Sequence, residues 1–155
     1  MIKQDILQQL AEHLKAEIQR LQAANKQAAA GATDSESRAE SKWDTQGLES
    51  SYLARGYAAQ FDSMNEQAKL LNEFSPASFT GQPIDTGALV KCDFDGYRSW
   101  VFLLPCCGGT ELMVEDEEVT VVTPESPLAG ALVGRQAGDA YQLPNGAMGT
   151  ILIVE

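Results

Sequence analysis

The feature that most constrains this chain is its N-terminal segment, which favours one long helix. Neither glycine nor proline occurs before Gly31, and most of the polar positions are Gln, Glu or Lys, which are good helix formers. Apolar residues recur at intervals of three and four from Leu7 to Leu21, and alanines extend the row. The row is narrow and nearly heptad, as in the seam of a coiled coil. The sequence therefore predicts a helix over residues 2–30.

A second helical pattern follows a polar break. Residues 31–45 begin with Gly31 and include three Ser, two Thr and two Asp, which is typical of a connection between helices. Apolar residues at positions 53–71 then share one helical face. The pattern must end before Ser75 and Pro76, because a residue that precedes proline avoids the helical conformation.

Two helices of similar length joined by a short polar link predict an antiparallel helical hairpin. We assign residues 1–75 to this hairpin, a coiled coil with an acidic tip near residues 31–50. An ordinary helical bundle and a dimerising coiled coil stay open on periodicity alone. A monomer is expected.

From Phe79 onward the pattern changes to short β-rich runs with turn signals between them. The segment Ser126–Gly134 predicts a short helix, with serine as its N-cap, proline in its first turn and glycine after its end. The predicted fold class is α+β, with a small antiparallel sheet and one short helix in a second domain over residues 79–155. The runs that predict strands are 88–92, 99–104, 118–123 and 149–154, and Pro144-Asn-Gly146 predicts a hairpin turn into the last of them.

Charge and composition exclude several classes of function. The formal net charge of −11 argues against direct binding to DNA, which needs clustered Lys and Arg, and suits a basic protein surface. No apolar run of 18 residues predicts a membrane span, and the polar start does not resemble a signal peptide. A stand-alone enzyme is not expected, because the chain has one histidine and no nucleophile elbow or P-loop.

The cysteines favour a reducing compartment. The chain has three cysteines, Cys92, Cys106 and Cys107. Because the number is odd and a bridge between the adjacent Cys106 and Cys107 would be strained, a disulfide framework is not expected. A cytoplasmic protein is the simplest interpretation.

After the third predicted strand the chain reads Thr123-Pro-Glu-Ser-Pro-Leu-Ala-Gly-Ala-Leu-Val-Gly-Arg-Gln-Ala-Gly-Asp139. This segment resembles the C-terminal domain of the GreA/GreB family of transcription elongation factors. That family carries Ser-Pro-(apolar)-Ala-x-Ala-Leu-(apolar)-Gly-Lys-x-x-Gly-Asp just after a strand, and this chain has Arg135 at the position of the lysine. The resemblance implies an FKBP-like sheet domain after a helical hairpin. The matching residues are Ser126, Pro127, Ala129, Ala131, Leu132, Gly134, Gly138 and Asp139.

The resemblance implies that RNA polymerase is the partner, with nascent RNA contacted only indirectly. In the family, the hairpin enters the secondary channel and presents carboxylates that help to hold Mg²⁺ and a water at the polymerase active centre. The transcript that has backtracked is then cleaved, in chemistry for which the polymerase supplies most of the site. No cofactor bound by this chain alone is expected.

The tip of the hairpin is where the chain departs from the family pattern. The family tip reads approximately Gly-Asp-Leu-x-Glu-Asn-x-Glu-Tyr. Alignment on Tyr52 places Thr45 and Leu48 at the two carboxylate positions, with Asp44 and Glu49 each one residue away. Asp44 and Glu49 are the candidate catalytic and Mg²⁺-holding residues. The alternative is structural: Asp44 would cap the second helix, and Glu49 would be a favourable charge near its start.

Supporting and docking residues complete the candidate site. Glu40, Trp43 and Tyr52 are expected to support the tip. The resemblance implies that Glu125, Ser126 and Pro127 dock on a coiled coil at the rim of the channel; a purely structural helix cap is the alternative.

Three functions stay open at this point. The first is stimulation of transcript cleavage. The second is a non-cleaving regulator or inhibitor that occupies the channel. The third is peptide binding or prolyl isomerisation, which FKBP-like folds also support.

Overall fold

The computed structural model describes residues 1–33 and 45–155, and the segment 34–44 lies outside the described residues. The described part is α+β, with two long helices, a short third helix and a single sheet. The elements are α1 (Lys3–Thr33), α2 (Thr45–Glu73), β1 (Leu89–Phe94), β2 (Tyr97–Leu103), β3 (Glu111–Val114), β4 (Glu117–Val122), α3 (Pro127–Leu132), β5 (Ala140–Gln142) and β6 (Met148–Val154).

The two predicted long helices are confirmed. α1 extends three residues beyond the predicted end, a difference typical of helix boundaries. α2 ends at Glu73, before Ser75 and Pro76, as the restriction on the residue before proline requires. None of the helices in the described part of the chain is both long enough and apolar enough to cross a membrane.

The chain divides into two compact units. One unit contains residues 11–69, and the other contains residues 1–10 together with residues 70–155. Within the first unit, α1 and α2 line a common groove, to which α1 contributes Leu21 and α2 contributes Tyr57. The two helices therefore lie side by side there. The hairpin connection itself falls in residues 34–44 and stays a prediction.

The sheet is mixed, so the prediction of an antiparallel sheet is wrong. Six strands lie in the order β3-β4-β2-β1-β6-β5, and β2 pairs with β4 in parallel while the other pairs are antiparallel. The parallel pairing follows from the position of β3 at the outer edge of the sheet. The chain reverses direction after β3, so β4 lies between β3 and β2 and runs in the same direction as β2.

One face of the sheet, which we call the α3 face, packs against the short helix. Strand residues alternate between faces, so the even positions of β1 and the odd positions of β2 lie together on this side. Ala129 and Leu132 of α3 are fully buried in the same cluster, and Tyr141 joins them. Burial of each large apolar side chain contributes roughly 1.5–3 kcal/mol. The strand residues of this core are Val90, Cys92, Val101, Leu103, Val122, Ile151 and Val154.

The opposite face of the sheet is also buried over most of its width. Phe102 is fully buried, and the Phe74 ring meets it edge to face with 6.3 Å between ring centroids. Ile6 and Leu10 of α1 belong to the same compact unit and are fully buried as well. The first ten residues are thus part of the sheet unit, whereas the sequence pattern alone assigns them to the hairpin.

Candidate functional site

The three residues predicted to dock line an open groove of about 650 Å³ at the start of α3. Glu125, Ser126 and Pro127 form the edge where the chain enters the helix, and Gly130 and Ala131 continue along the helix wall. The remaining lining residues are Pro124, Gln142, Leu143, Pro144 and Gly146. The structure therefore brings the predicted docking residues together with a second segment, 142–146, to which the sequence had assigned only a hairpin turn.

The first wall of the groove forms because the sequence caps α3 at both ends, as predicted. Ser126 has extended backbone angles, and its Oγ accepts a hydrogen bond from the Leu128 backbone N–H at 3.3 Å. Pro127 follows in the first turn, where a missing N–H costs nothing. After the helix, Gly134 has a φ of +82°, a left-handed conformation that favours glycine.

The second wall is the turn between β5 and β6. The Leu143 backbone N–H donates to the Ala147 carbonyl at 2.8 Å, and Gly146 has a φ of +90°. Asn145 Oδ1 accepts from the Ala147 N–H at 3.1 Å, which fixes the turn further. The Pro-Asn-Gly signal in the sequence predicted this hairpin turn, and the structure confirms it.

Arg135 ties α3 to β5, the strand that leads into the second wall. Its Nε donates to the Ala131 carbonyl of α3, and its Nη1 donates to the Ala140 carbonyl of β5, both at 2.7 Å. The guanidinium thus satisfies a carbonyl in the last turn of the helix and ties the helix to the neighbouring strand. Sequence reasoning assigned no role to Arg135, because its partners are backbone atoms that no residue pattern identifies.

The chemistry of the groove suits docking better than catalysis. Glu125 is the single ionisable side chain among its lining residues, and it is exposed. Prolines and the half-buried Leu143 supply rigid apolar surface around that carboxylate. An exposed acid beside a fixed apolar wall can receive a basic or hydrogen-bonding group of another protein.

The tip residues are described only in part. Glu49 is exposed near the start of α2, Tyr52 is 65% exposed, and the Arg55 guanidinium lies 5.8 Å from the centre of the Tyr52 ring. Glu40, Trp43 and Asp44 lie outside the described residues. The pairing of Asp44 with Glu49, and their shared Mg²⁺, therefore stay predictions.

A polar cluster on the sheet was missed by sequence reasoning. Lys91 Nζ lies 2.6 Å from Glu117 Oε1, the Trp100 indole N–H donates to the same carboxylate, and Lys91 lies 5.2 Å from the centre of the Trp100 ring. These hydrogen bonds hold the pKa of Glu117 below its usual range. The three residues come from three strands, and only the strand register brings them together. The cluster fastens β1, β2 and β4 to one another.

The structure thus describes an α+β protein with two long helices, a mixed sheet and an open groove at a serine-capped helix. No model of a known protein family matches the chain, and no curated protein matches it.

Among solved structures, the chain is similar to GreA factor homolog 1 (Gfh1). The Thermus thermophilus protein is 17% identical over 94% of each chain, with a TM-score of 0.35. A second structure of the transcription factor Gfh1 is 17% identical over 94% of this chain and 92% of that one, with a TM-score of 0.38. Thermus aquaticus Gfh1 is 22% identical over 97% of this chain and 92% of that one, with a TM-score of 0.37. Similarities this low do not transfer a function.

Proposed function

We propose that this protein is a Gre-like factor that binds bacterial RNA polymerase and stimulates cleavage of backtracked RNA. The observation that carries the proposal is the groove at α3. The segment that resembles the Gre C-terminal domain folds into a capped helix, and its Glu125, Ser126 and Pro127 line an open, rigid surface. Through this groove the protein docks on the polymerase. It acts in the cytoplasm and relies on the active centre of the polymerase for the chemistry.

The helical unit supplies the second half of the proposed mechanism. α1 and α2 form the hairpin that enters the secondary channel, and Asp44 and Glu49 are the residues that would hold Mg²⁺ together with the polymerase. Magnesium prefers oxygen ligands and takes one or two carboxylates from a given partner, which these two residues can provide. The bound ion would activate a water for hydrolysis of the RNA backbone.

A non-cleaving regulator is the second candidate, and one observation favours it. Leu48, which alignment on Tyr52 places at a carboxylate position of the family, is 55% exposed on α2. An exposed apolar side chain at that position contributes no metal ligand. A factor of this kind would occupy the channel and alter nucleotide entry without cleavage.

Transcript cleavage separates the two candidates. RNA polymerase stalled in a backtracked register is mixed with Mg²⁺ and either the wild type or the Asp44→Ala/Glu49→Ala variant, and polymerase binding is measured in parallel. Short 3′ RNA fragments released by the wild type but not by the variant, with equal binding, are the expected result. Binding by the wild type without fragments would support the regulator instead.

The docking groove has its own test at Gly130. A Cβ added there meets no atom within 4 Å and Gly130 lines the groove, so Gly130→Leu is expected to place its side chain in the groove. We expect Gly130→Leu to weaken polymerase binding by at least about tenfold, since it blocks the central contact surface. The Gly130→Ala variant, with one methyl group, is the matched control and keeps its binding. Equal binding by both variants would show that the groove is not the docking site.

A further inference from the structure

The α3 face of the sheet is not covered along its whole length. Under α3, the side chains of this face are buried, but exposure increases along β1 and β2 towards the turn that joins them. Phe94 and Tyr97 flank that turn as a cross-strand pair on this face, and they are 38% and 57% exposed. The fold therefore leaves two neighbouring aromatic rings in contact with solvent.

Further exposed residues of the α3 face extend from Tyr97 across the sheet to its edge. The Tyr97 hydroxyl donates to the Glu118 carboxylate of β4, and Met113 of β3 is paired directly with Glu118. Met113 is 63% exposed, and Glu111 lies two residues away on the same face of the edge strand. We call these five residues, Phe94, Tyr97, Glu111, Met113 and Glu118, the Tyr97 patch.

The charge around the Tyr97 patch has one sign. Acidic residues concentrate in the β3–β4 hairpin, and Asp95 adds another carboxylate in the turn between β1 and β2. The nearby cations, Arg98 and Lys91, lie on the opposite face of the sheet. There Arg98 pairs with Asp93 at 3.0 Å and Lys91 pairs with Glu117 at 2.6 Å. The acids of the hairpin are Glu111, Glu115, Asp116, Glu117 and Glu118.

We propose that the Tyr97 patch is a second docking surface, which receives an arginine- or lysine-rich segment with apolar side chains. A cation of the partner would lie over the Tyr97 ring and pair with Glu118 and Glu111, while apolar groups cover Met113 and Phe94. Exposed aromatic and methionine side chains within a charged rim have the composition of a protein interface. The inference rests on the proposed function, because the partner it names is a basic segment of RNA polymerase.

Two pairs of variants test the proposal. Glu111→Gln/Glu118→Gln removes two patch charges and keeps an acceptor for the Tyr97 hydroxyl, and Asp85→Asn/Asp139→Asn removes two exposed charges elsewhere in the sheet unit. Met113→Ser removes the apolar contact, and Met148→Ser is its matched control, because Met148 is 60% exposed on a different strand. Binding of the full-length protein to core RNA polymerase is measured at about 50 mM and about 300 mM KCl.

The expected results differ between the two pairs. The Glu111→Gln/Glu118→Gln variant binds at least about fivefold more weakly at low salt and loses part of the salt dependence, since its loss is electrostatic. Met113→Ser binds about fivefold more weakly at both salt concentrations, since an apolar contact is not screened. Both controls remain within about twofold of the wild type.

The outcomes distinguish this inference from the proposed function. Patch variants that bind like their controls, while Gly130→Leu loses binding, would overturn the second docking surface and leave the proposed function intact. The acids would then serve only to keep the sheet edge from pairing with other chains. Failure of the wild type to bind polymerase would overturn both.

Discussion

At the scale of single residues, the α3 core contains two titratable groups that the fold keeps neutral. Cys92 and Tyr141 are both 3% exposed and are linked by a hydrogen bond. Burial raises the pKa of the Cys92 thiol to about 11, and burial, followed by the nearby Cys92, raises the pKa of Tyr141 to about 12. The thiol therefore behaves as a small apolar group at neutral pH.

The raised pKa of Cys92 predicts a loss of stability in alkali. In the unfolded chain the thiol loses its proton near pH 9, whereas the folded protein retains it up to about pH 11. The unfolded state binds fewer protons in that window, so the free energy of unfolding decreases as the pH rises from 9 to 11, by on the order of 2 kcal/mol from this group. Urea denaturation at pH 8 and pH 11 measures the decrease.

The Cys92→Ala variant is the control for this pH dependence. It is less stable at every pH because it leaves a cavity, but its stability should decrease less between pH 8 and pH 11 than that of the wild type. An identical decrease in both proteins would show that Cys92 does not cause it.

At the scale of secondary-structure elements, α3 is the clearest case of local sequence determining structure. A helix this short has little stability of its own, so its end caps and its buried face must hold it in place. Ser126 satisfies an N–H at the start, and Val133 donates to the Ala129 carbonyl at 2.9 Å at the end. Because α3 also forms a wall of the groove lined by Glu125, its caps position the candidate site.

The Ser126 cap predicts a measurable effect on stability. Ser126→Ala removes the acceptor for the Leu128 N–H and should lower the free energy of unfolding by about 1 kcal/mol, while Ser126→Asn, which retains an acceptor, should cost much less. Urea denaturation at neutral pH compares the two. Equal losses would indicate that the hydroxyl acts through packing rather than through the cap.

Elements with a strong local signal could be predicted, and the others could not. The four longer strands have runs of β-branched and aromatic residues, and the prediction located each of them. β3 and β5 have four and three residues, too few for an alternating pattern, so both were missed. The parallel pairing of β2 with β4 was also missed, since local propensity does not specify which strands become neighbours.

The same distinction applies to the candidate site. The wall at Ser126 and Pro127 was predicted from a contiguous motif. The opposing Leu143 and Pro144, the Arg135 bridge and the Tyr97 patch depend on residues that approach only after the sheet has formed. Long-range register, rather than residue type, brings them together.

At the scale of the whole molecule, the sheet unit takes its first ten residues from the other end of the sequence. Lys3 Nζ donates to the Gly87 carbonyl at 2.7 Å and lies 5.1 Å from the centre of the Phe79 ring. The N-terminal amine lies 3.9 Å from Glu155. Both ends of the chain thus meet in one unit, so the folding of residues 70–155 is coupled to the start of α1.

This coupling predicts that a substitution in α1 destabilises the sheet. Ile6 is fully buried in the sheet unit, whereas Ile18 is half-buried in the helical unit, so the same change to alanine tests both. In a Trp43→Phe background, Trp100 is the remaining tryptophan and reports on the sheet by its fluorescence. We expect Ile6→Ala to lower the free energy of unfolding seen by Trp100 by about 2–5 kcal/mol, because a buried cavity forms. Ile18→Ala should affect the Trp100 transition far less and should appear mainly in the helical circular dichroism signal. If both substitutions shifted the Trp100 transition equally, the start of α1 would have no special link to the sheet.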